Sequence, residues 1–188
     1  MSAPGSVRII GGRWRGTKLP VPDSPGLRPS ADRVRETLFN WLMPVLPGAR
    51  VLDLFAGTGA LGLEAVSRGA DTAVLVERDP ALAASLRATV TKLSAQERIE
   101  VAQADALAWL RQQPDGAFDI AFVDPPFAGN LWNAALSALL PKLAADAWLY
   151  VEAPHDAAIS LPEGWALHRE GRTREVRYAL FRAADRRD

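Results

Sequence analysis

The sequence predicts an α/β protein whose mostly parallel sheet is covered by helices on both faces. Five short runs rich in Val, Ile, Leu and aromatic residues, as in buried parallel strands, recur along the chain with helical patterns between them. A length of 188 residues is enough for one compact domain and short for two. We therefore expect a single domain built on alternating strands and helices.

The N-terminal residues depart from this alternation and predict a small basic extension. The run SVRIIGGRWRGTKLPV (6–21) is typical of a short hairpin, and RPSADRVRETLFNWLMPVL (28–46) is typical of a helix. Ser30 is the expected cap of that helix, and its apolar stripe is formed by Leu38, Trp41, Leu42 and Val45. We therefore divide the chain into an extension (1–46) and a core (47–188).

The core contains the predicted strands RVLDLF (50–55), TAVLVE (72–77), RIEVAQ (98–103), FDIAFV (118–123) and AWLYVE (147–152). Helical patterns lie between them, such as the apolar face of Leu82, Leu86 and Val90. At the C-terminal end, GWALHREGRTREVRYALF (164–181) predicts two strands around a turn that contains glycine. The sheet is thus expected to finish with an antiparallel hairpin.

Composition excludes several kinds of site. The chain has no Cys and only two His, His155 and His168, so it cannot form a disulfide, a thiolate nucleophile or a three-His zinc site, and no metal is expected. No apolar stretch approaches the ~18 residues of a membrane span, and the first residues lack the continuous apolar region of a signal peptide. A cytoplasmic protein without a membrane partner is expected.

The net charge of zero conceals a division along the chain. Residues 1–35 hold seven Lys and Arg against two Asp and Glu, a net charge of +5. Residues 36–168 hold eight basic against sixteen acidic residues, a net charge of −8, and residues 169–188 hold seven against four, a net charge of +3. Basic ends around an acidic middle favour a protein that contacts a polyanion with its termini and binds a cation or a donor-rich ligand in its body. Scattered solvated charges are the alternative explanation.

The turn after the first core strand, in VLDLFAGTGALG (51–62), predicts a ligand site. Gly57, Gly59 and Gly62 match the pattern GxGxxG, and a helix begins within it, so backbone N–H groups face an incoming ligand. The spacing also fits a dinucleotide fingerprint, with Glu77 twenty positions after Gly57 as the ribose partner.

Acidic residues at the strand ends help to distinguish between cofactors. Asp53 precedes the glycine turn, where it would repel a pyrophosphate but attract a cationic amino acid group, which favours S-adenosylmethionine over a nicotinamide cofactor. Asp79 followed by Pro80 is typical of a helix cap, which leaves Glu77 for ribose hydroxyls. Asp105 either caps the next helix or accepts from an adenine amino group. Such positions follow the carboxyl ends of parallel strands, where open α/β sheets bind ligands.

The segment DPPF (124–127) predicts the catalytic site. Because Pro125 and Pro126 donate no backbone hydrogen bonds, the turn after Asp124 can present carbonyl oxygens to an amino group, and Phe127 offers a face for a planar base. The expected target is an exocyclic amine of a nucleobase. Its developing positive charge would be stabilised by the Asp124 carboxylate without a metal or a strong base. The predicted catalytic residues are Asp124, Pro125 and Phe127.

Nucleic acid is the expected source of that base. Extruding a base from a duplex costs a few kcal/mol, and stacking on an aromatic ring returns roughly 1–3 kcal/mol, so phosphate contacts must supply the remainder. The candidates for those contacts are Arg8, Arg13, Arg15, Lys18, Arg28, Arg33 and Arg35.

The order of these motifs resembles a known family. DLFAGTG followed by DPPF resembles the class I S-adenosylmethionine-dependent amino methyltransferases. The wider pattern, with RIIGGRWRG, RPSADRVRETLFNWL, VLDLFAGTGALGLEAVSRGA, FDIAFVDPPF and EVRYALF, is similar to the RsmD family, which methylates the N2 of one guanine in bacterial 16S ribosomal RNA. The similarity runs from about Val7 to Phe181.

The resemblance implies a Rossmann-like core with a seven-stranded sheet whose last strand is antiparallel. It implies a ribosomal RNA substrate. Because a chain of this size has no inserted recognition domain, we expect a small ribosomal subunit or an assembly intermediate to present the base, and we infer no obligate protein partner. The resemblance also implies S-adenosylmethionine contacts from Asp53, Phe55, Ala56, Gly57, Thr58, Gly59, Glu77, Asp105 and Ala106.

Three alternatives stay open from the residues alone. The DPPF turn is shared with enzymes that methylate adenine N6 in RNA or DNA. An NAD-dependent oxidoreductase would explain the glycines and Glu77 but would leave Asp53 and DPPF without a role. A non-catalytic RNA-binding protein would explain the basic ends but needs no acceptor-rich turn.

Overall fold

The computed structural model describes residues 6–23, 27, 31–126 and 130–184. Its strands are β1 (Ser6–Arg8), β2 (Lys18–Pro20), β3 (Arg50–Asp53), β4 (Thr72–Glu77), β5 (Ile99–Gln103), β6 (Phe118–Val123), β7 (Leu143–Pro154), β8 (Trp165–Arg172) and β9 (Val176–Ala183). Its helices are α1 (Asp32–Leu42), α2 (Ala60–Ser67), α3 (Pro80–Lys92), α4 (Ala106–Leu110) and α5 (Trp132–Leu139), and the last continues into a 3₁₀ turn, Leu140–Lys142.

Within the described residues, seven strands form one sheet in the order β5-β4-β3-β6-β7-β9-β8. The first five of these strands are mutually parallel, and β9 is antiparallel to both of its neighbours. The predicted parallel sheet with an antiparallel last strand is thus confirmed. Strand β7 is longer than the predicted run 147–152, since it extends from Leu143 to Pro154.

Alternate residues of the strands enter different hydrophobic clusters on the two faces of the sheet. Ile120 and Phe122 pack with residues of α1, α2 and α3, whereas Ala121 and Val123 pack with α4 and α5. This alternation is what a sheet covered on both faces requires, because successive side chains of a strand point in opposite directions.

The N-terminal extension packs onto the same core. Strands β1 and β2 pair as the predicted antiparallel hairpin, and Ile9 and Leu19 are fully buried in the cluster that contains α1 and α2. Helix α1 begins at Asp32 with Ala31 as its N-cap residue, so the predicted cap at Ser30, which lies outside the described residues, is one position too early. The boundary at residue 46 stays a prediction.

Glu64 in the middle of α2 joins the extension to the core. Its carboxylate accepts hydrogen bonds from the backbone N–H groups of Ile10 (2.8 Å) and Gly11 (2.9 Å). It also forms ion pairs with Arg35 of α1 (3.2 Å) and with Arg68 (2.9 Å). Glu64 and the groups that donate to it are called the Glu64 cluster below. Glu64 and Arg35 are both fully buried, so this cluster lies inside the protein.

No helix in the described part of the chain is long and apolar enough to cross a membrane.

Candidate active site

A cavity of about 430 Å³ lies at the carboxyl ends of the parallel strands. Its volume falls in the range of roughly 300–1,000 Å³ that is typical of small-molecule sites. Of the residues predicted to bind the cofactor or to act in catalysis, those lining the cavity are Asp53, Phe55, Ala56, Gly57, Thr58, Glu77, Asp105, Ala106, Asp124 and Pro125. The fold therefore brings residues from four separate strand ends into one site.

The glycines of the turn after β3 have different structural roles. Gly57 lines the cavity with a φ of +57°, a left-handed conformation that favours glycine. At Gly62, a Cβ atom would lie 2.1 Å from a methyl group of Leu75, so only glycine lets α2 pack this close to β4. Gly59 is the N-cap residue of α2 with a φ of +79°, and a Cβ there would lie 2.5 Å from a methyl group of Leu86. Its contact with the cofactor stays a prediction.

Asp53 ends β3 and is only 2% exposed. Its Oδ2 accepts a hydrogen bond from the backbone N–H of Gly62 at 3.0 Å. Burial raises the pKa of Asp53 to about 7; the Gly62 hydrogen bond opposes this rise, and the negative charge of Glu77 adds to it. A buried carboxylate that borders a cavity and resists ionisation would be stabilised in its charged form by a cationic ligand.

Glu77 and Asp79 organise the backbone on the neighbouring side of the cavity. Glu77 accepts from the N–H of Gly57 at 2.9 Å and from the N–H of Asp79 at 3.0 Å, so it holds the glycine turn in place. Asp79 caps α3 by accepting from Ala81 and Leu82, as predicted. Because a carboxylate has about four lone-pair positions, Glu77 can accept ligand hydroxyls in addition to its two backbone donors.

The two functions considered for Asp105 are compatible in the structure. Asp105 is the N-cap of α4, and its side chain accepts from the N–H of Ala108 at 3.0 Å. The residue also lines the cavity beside Ala106. It can therefore cap the helix and still face a bound ligand.

The predicted catalytic turn borders the cavity directly after β6. Asp124 and Pro125 line it, and Pro126 completes the described part of the turn. Phe127 lies outside the described residues, so its contact with a base stays a prediction.

Glu152, near the end of β7, is a site residue that sequence reasoning missed. It is 7% exposed and lines the same cavity as Asp124. Its position at the end of an apolar strand was a usable signal, since AWLYVE ends in Val-Glu in the same way as TAVLVE, which supplies Glu77.

The basic residues predicted to bind RNA divide into exposed and buried ones. The exposed members are Arg8, Arg13, Arg15, Lys18 and Arg33, and Arg28 lies outside the described residues. Arg35 is fully buried, where it pairs with Glu64 and donates to Asp32 and to the carbonyl of Arg8. The prediction that Arg35 contacts RNA is therefore wrong, because its charge is used inside the Glu64 cluster.

Two of the exposed cations form a pair of like charges. Arg8 and Lys18 occupy directly opposite positions on β1 and β2, and both are exposed. Like charges directly across two strands destabilise a hairpin. An anion bound between them would offset this repulsion.

The described residues contain no group of three or more His, Asp or Glu that could hold a metal ion.

Comparisons with known proteins agree with this geometry. Residues 7–182 match the protein family described as Conserved hypothetical protein 95. The chain is 48% identical to ribosomal RNA small subunit methyltransferase D of Escherichia coli, over 96% of this chain and 91% of the relative. It is 45% identical to the protein of the same name from Haemophilus influenzae, over 96% of this chain and 95% of the relative.

A solved structure from Escherichia coli, named as a methyltransferase, superposes on the chain with a TM-score of 0.86 and 45% identity. The superposition covers 97% of this chain and 100% of that one. The extension and the core are thus shared together with that structure.

Proposed function

The chain belongs to the RsmD family of methyltransferases, and from this premise we propose that it transfers a methyl group from S-adenosylmethionine to the exocyclic N2 amine of a guanine in small-subunit (16S) ribosomal RNA. The observation that carries the proposal is the convergence, in one cavity, of the buried Asp53 with the acceptor-rich turn at Asp124 and Pro125. The proposed substrate is a small ribosomal subunit or an assembly intermediate in the bacterial cytoplasm.

The residues of the cavity fit S-adenosylmethionine. When bound, this cofactor supplies an electrophilic methyl group on a positively charged sulfur. In our assignment, the charged form of Asp53 faces the cationic amino acid part, Glu77 accepts from the ribose hydroxyls, and Asp105 accepts from the adenine amine. The glycine turn supplies the close backbone approach.

The catalytic turn acts on the base. Asp124 and the carbonyl of Pro125 accept the two N–H groups of the exocyclic amine, which orients the nitrogen lone pair towards the methyl group. As the nitrogen forms its bond to the methyl carbon, the bond from that carbon to sulfur would break, and its electron pair would stay on sulfur, which becomes a neutral thioether. The nitrogen gains positive charge, which the fixed carboxylate of Asp124 stabilises where it develops, and the nitrogen then loses one of its two protons to water. Positioning of the amine and electrostatic stabilisation are sufficient for this role, so no metal is needed.

The direct test is to supply the protein and S-adenosylmethionine with unmodified small ribosomal subunits, free ribosomal RNA and DNA. Each substrate is then digested, and its methylated nucleosides are identified by mass spectrometry. We expect N2-methylguanosine from the ribosomal substrate. N6-methyladenosine would keep the chemistry of the turn but reassign the substrate, and the absence of methylation in every substrate would contradict the proposal.

Binding of S-adenosylmethionine should weaken as pH falls below about 7. Asp53 has a pKa of about 7, and only its charged form attracts the cationic cofactor, so protonation competes with binding. We expect the affinity to fall roughly tenfold between about pH 7.5 and pH 6, measured by isothermal titration calorimetry. Asp53→Asn should bind weakly across this range with a flatter pH profile, and a wild-type profile no steeper than that of the variant would contradict the assignment.

RNA affinity should depend on the like-charged pair of the hairpin. The double variant Arg8→Ala/Lys18→Ala should weaken binding to ribosomal RNA and reduce the slope of log affinity against log salt by about 1 to 2. Its free energy of unfolding should stay the same or rise slightly, because the repulsion is removed. The matched control is Arg98→Ala/Arg111→Ala, which removes two exposed arginines elsewhere. Equal slopes for the two double variants would rule out the hairpin as the phosphate contact.

A further inference from the structure

Glu152 places a second buried carboxylate beside the catalytic one. Asp124 follows Val123 of β6, and Glu152 follows Val151 of β7; those two valines are register partners in the sheet. Neighbouring strands lie about 4.8 Å apart, so the two acidic residues are adjacent along the edge of the cavity that both of them line. The mechanism above uses Asp124 and leaves Glu152 without a role.

Buried groups hold Glu152 in place. Its Oε2 accepts from the hydroxyl of Tyr150 at 2.9 Å, and its backbone carbonyl accepts from the indole N–H of Trp132 at 3.0 Å. Burial raises the pKa of Tyr150 well above its ordinary value, and the negative charges of Glu152 and Asp124 raise it further. The hydroxyl therefore keeps its proton and donates, and the orientation of Glu152 is fixed before a substrate arrives.

Two adjacent carboxylates match the hydrogen-bonding edge of guanine and conflict with that of adenine. Ionised carboxylates only accept hydrogen bonds. Guanine presents two neighbouring donor groups on its Watson–Crick edge, the N1–H and the N2 amine. Adenine presents one amine, at N6, and its N1 is an acceptor that a carboxylate would repel. An extruded base is read through this edge.

We propose that Glu152 selects guanine by accepting its N1–H while Asp124 and Pro125 hold the N2 amine. This inference rests on the proposed function and adds what the DPPF turn lacks, a residue that separates guanine from adenine. Glu152 is thus a specificity-determining residue, and Tyr150 is the positioning residue behind it. Sites built to bond a particular substrate group reject analogues without it strongly, since a buried acceptor then loses its partner.

The test compares guanine with 2-aminopurine, which keeps the N2 amine but has an unprotonated, accepting N1. Small ribosomal subunits are reconstituted with either base at the position that the wild-type protein methylates. For wild type, we expect kcat/KM to favour guanine by at least about 100-fold. Glu152→Gln should lower kcat/KM for guanine by about 10- to 100-fold. Because the amide N–H of the variant can donate to N1 of 2-aminopurine, the preference for guanine over 2-aminopurine should shrink at least about tenfold.

Controls separate this role from a structural one. Glu100→Gln, an exposed substitution on β5, should leave the preference unchanged. Tyr150→Phe should reduce the preference for guanine less than Glu152→Gln does. If Glu152→Gln does not fold, Tyr150→Phe is the variant used for the test. Affinity of Glu152→Gln for S-adenosylmethionine should stay within about threefold of wild type by calorimetry.

An unchanged base preference in a folded Glu152→Gln protein would overturn the inference, as would a loss confined to cofactor affinity. Both outcomes leave the proposed function intact provided that wild type forms N2-methylguanosine. If wild type does not methylate guanine at all, the proposed function itself fails.

Discussion

Asp124→Ala is expected to lower the rate of methyl transfer by about 100- to 1,000-fold, equivalent to about 2.7–4 kcal/mol of transition-state stabilisation. The carboxylate both accepts from the amine and balances the charge that forms on its nitrogen, and alanine can do neither. Transfer is measured under single-turnover conditions with saturating cofactor and ribosomal substrate. RNA affinity should be nearly unchanged, because the phosphate contacts are assigned to the extension.

Asp119→Ala is the matched control for this experiment. Asp119 lies near the start of the same strand, β6, and pairs with Arg50 at the start of β3, at the end of the strands away from the cavity, with an oxygen to nitrogen distance of 2.9 Å. The control removes a partly exposed bidentate ion pair and the hydrogen bond that Asp119 accepts from the backbone N–H of Arg50 at 2.8 Å. It should cost roughly 1–3 kcal/mol of stability and retain normal transfer. If Asp124→Ala transferred the methyl group as fast as this control, the catalytic assignment would fail.

Glu64→Ala is expected to reduce the free energy of unfolding by about 3–5 kcal/mol. The substitution removes four hydrogen-bonding contacts at once, two from backbone N–H groups and two from arginines. Arg35 would then keep a fully buried charge with weaker compensation, and its Nε already has no partner among the described residues. Unfolding in urea, followed by circular dichroism, measures the loss.

Asp115→Ala provides the comparison for Glu64→Ala. Asp115 pairs with Lys142 at 2.9 Å, but its side chain is 77% exposed, so its removal should cost no more than about 1 kcal/mol. A similar small loss for Glu64→Ala would mean that the Glu64 cluster does not stabilise the fold, despite its burial.

The sheet could be predicted from the sequence because its strands carry a strong local signal. Four of the five predicted runs contribute buried residues to the hydrophobic clusters on both faces of the sheet. The fifth, RIEVAQ, forms the edge strand β5, where Glu100 is exposed. The start of β7 at Leu143 could not be predicted, because LAAD before the apolar run lacks that pattern and joins the strand through its pairing with β6.

The errors concern charges whose partners are distant in sequence. Composition does not reveal burial, so the sequence alone does not separate Arg35 from the surface cations. Its position three residues before Leu38, on the apolar stripe of α1, is the signal that it is buried. Glu64 lies in ALGLEAVS, where every residue is buried. A lone acidic residue in a fully buried helix requires a buried partner. An ion pair between Glu64 and Arg35 could therefore have been predicted.

Strand β9 has a consequence for how the protein is made. Strand β9 follows β8 in the chain but lies between β7 and β8 in the sheet, so it is not an edge strand. Bacterial and eukaryotic chains grow at roughly 5–20 residues per second and fold from the N-terminus. During synthesis, β8 therefore has no sheet partner and β7 keeps an open edge until Val176–Ala183 has been added. The sheet therefore cannot be completed before β9 has been synthesised, and a chain that stops before β9 exposes an unpaired strand edge, which promotes aggregation.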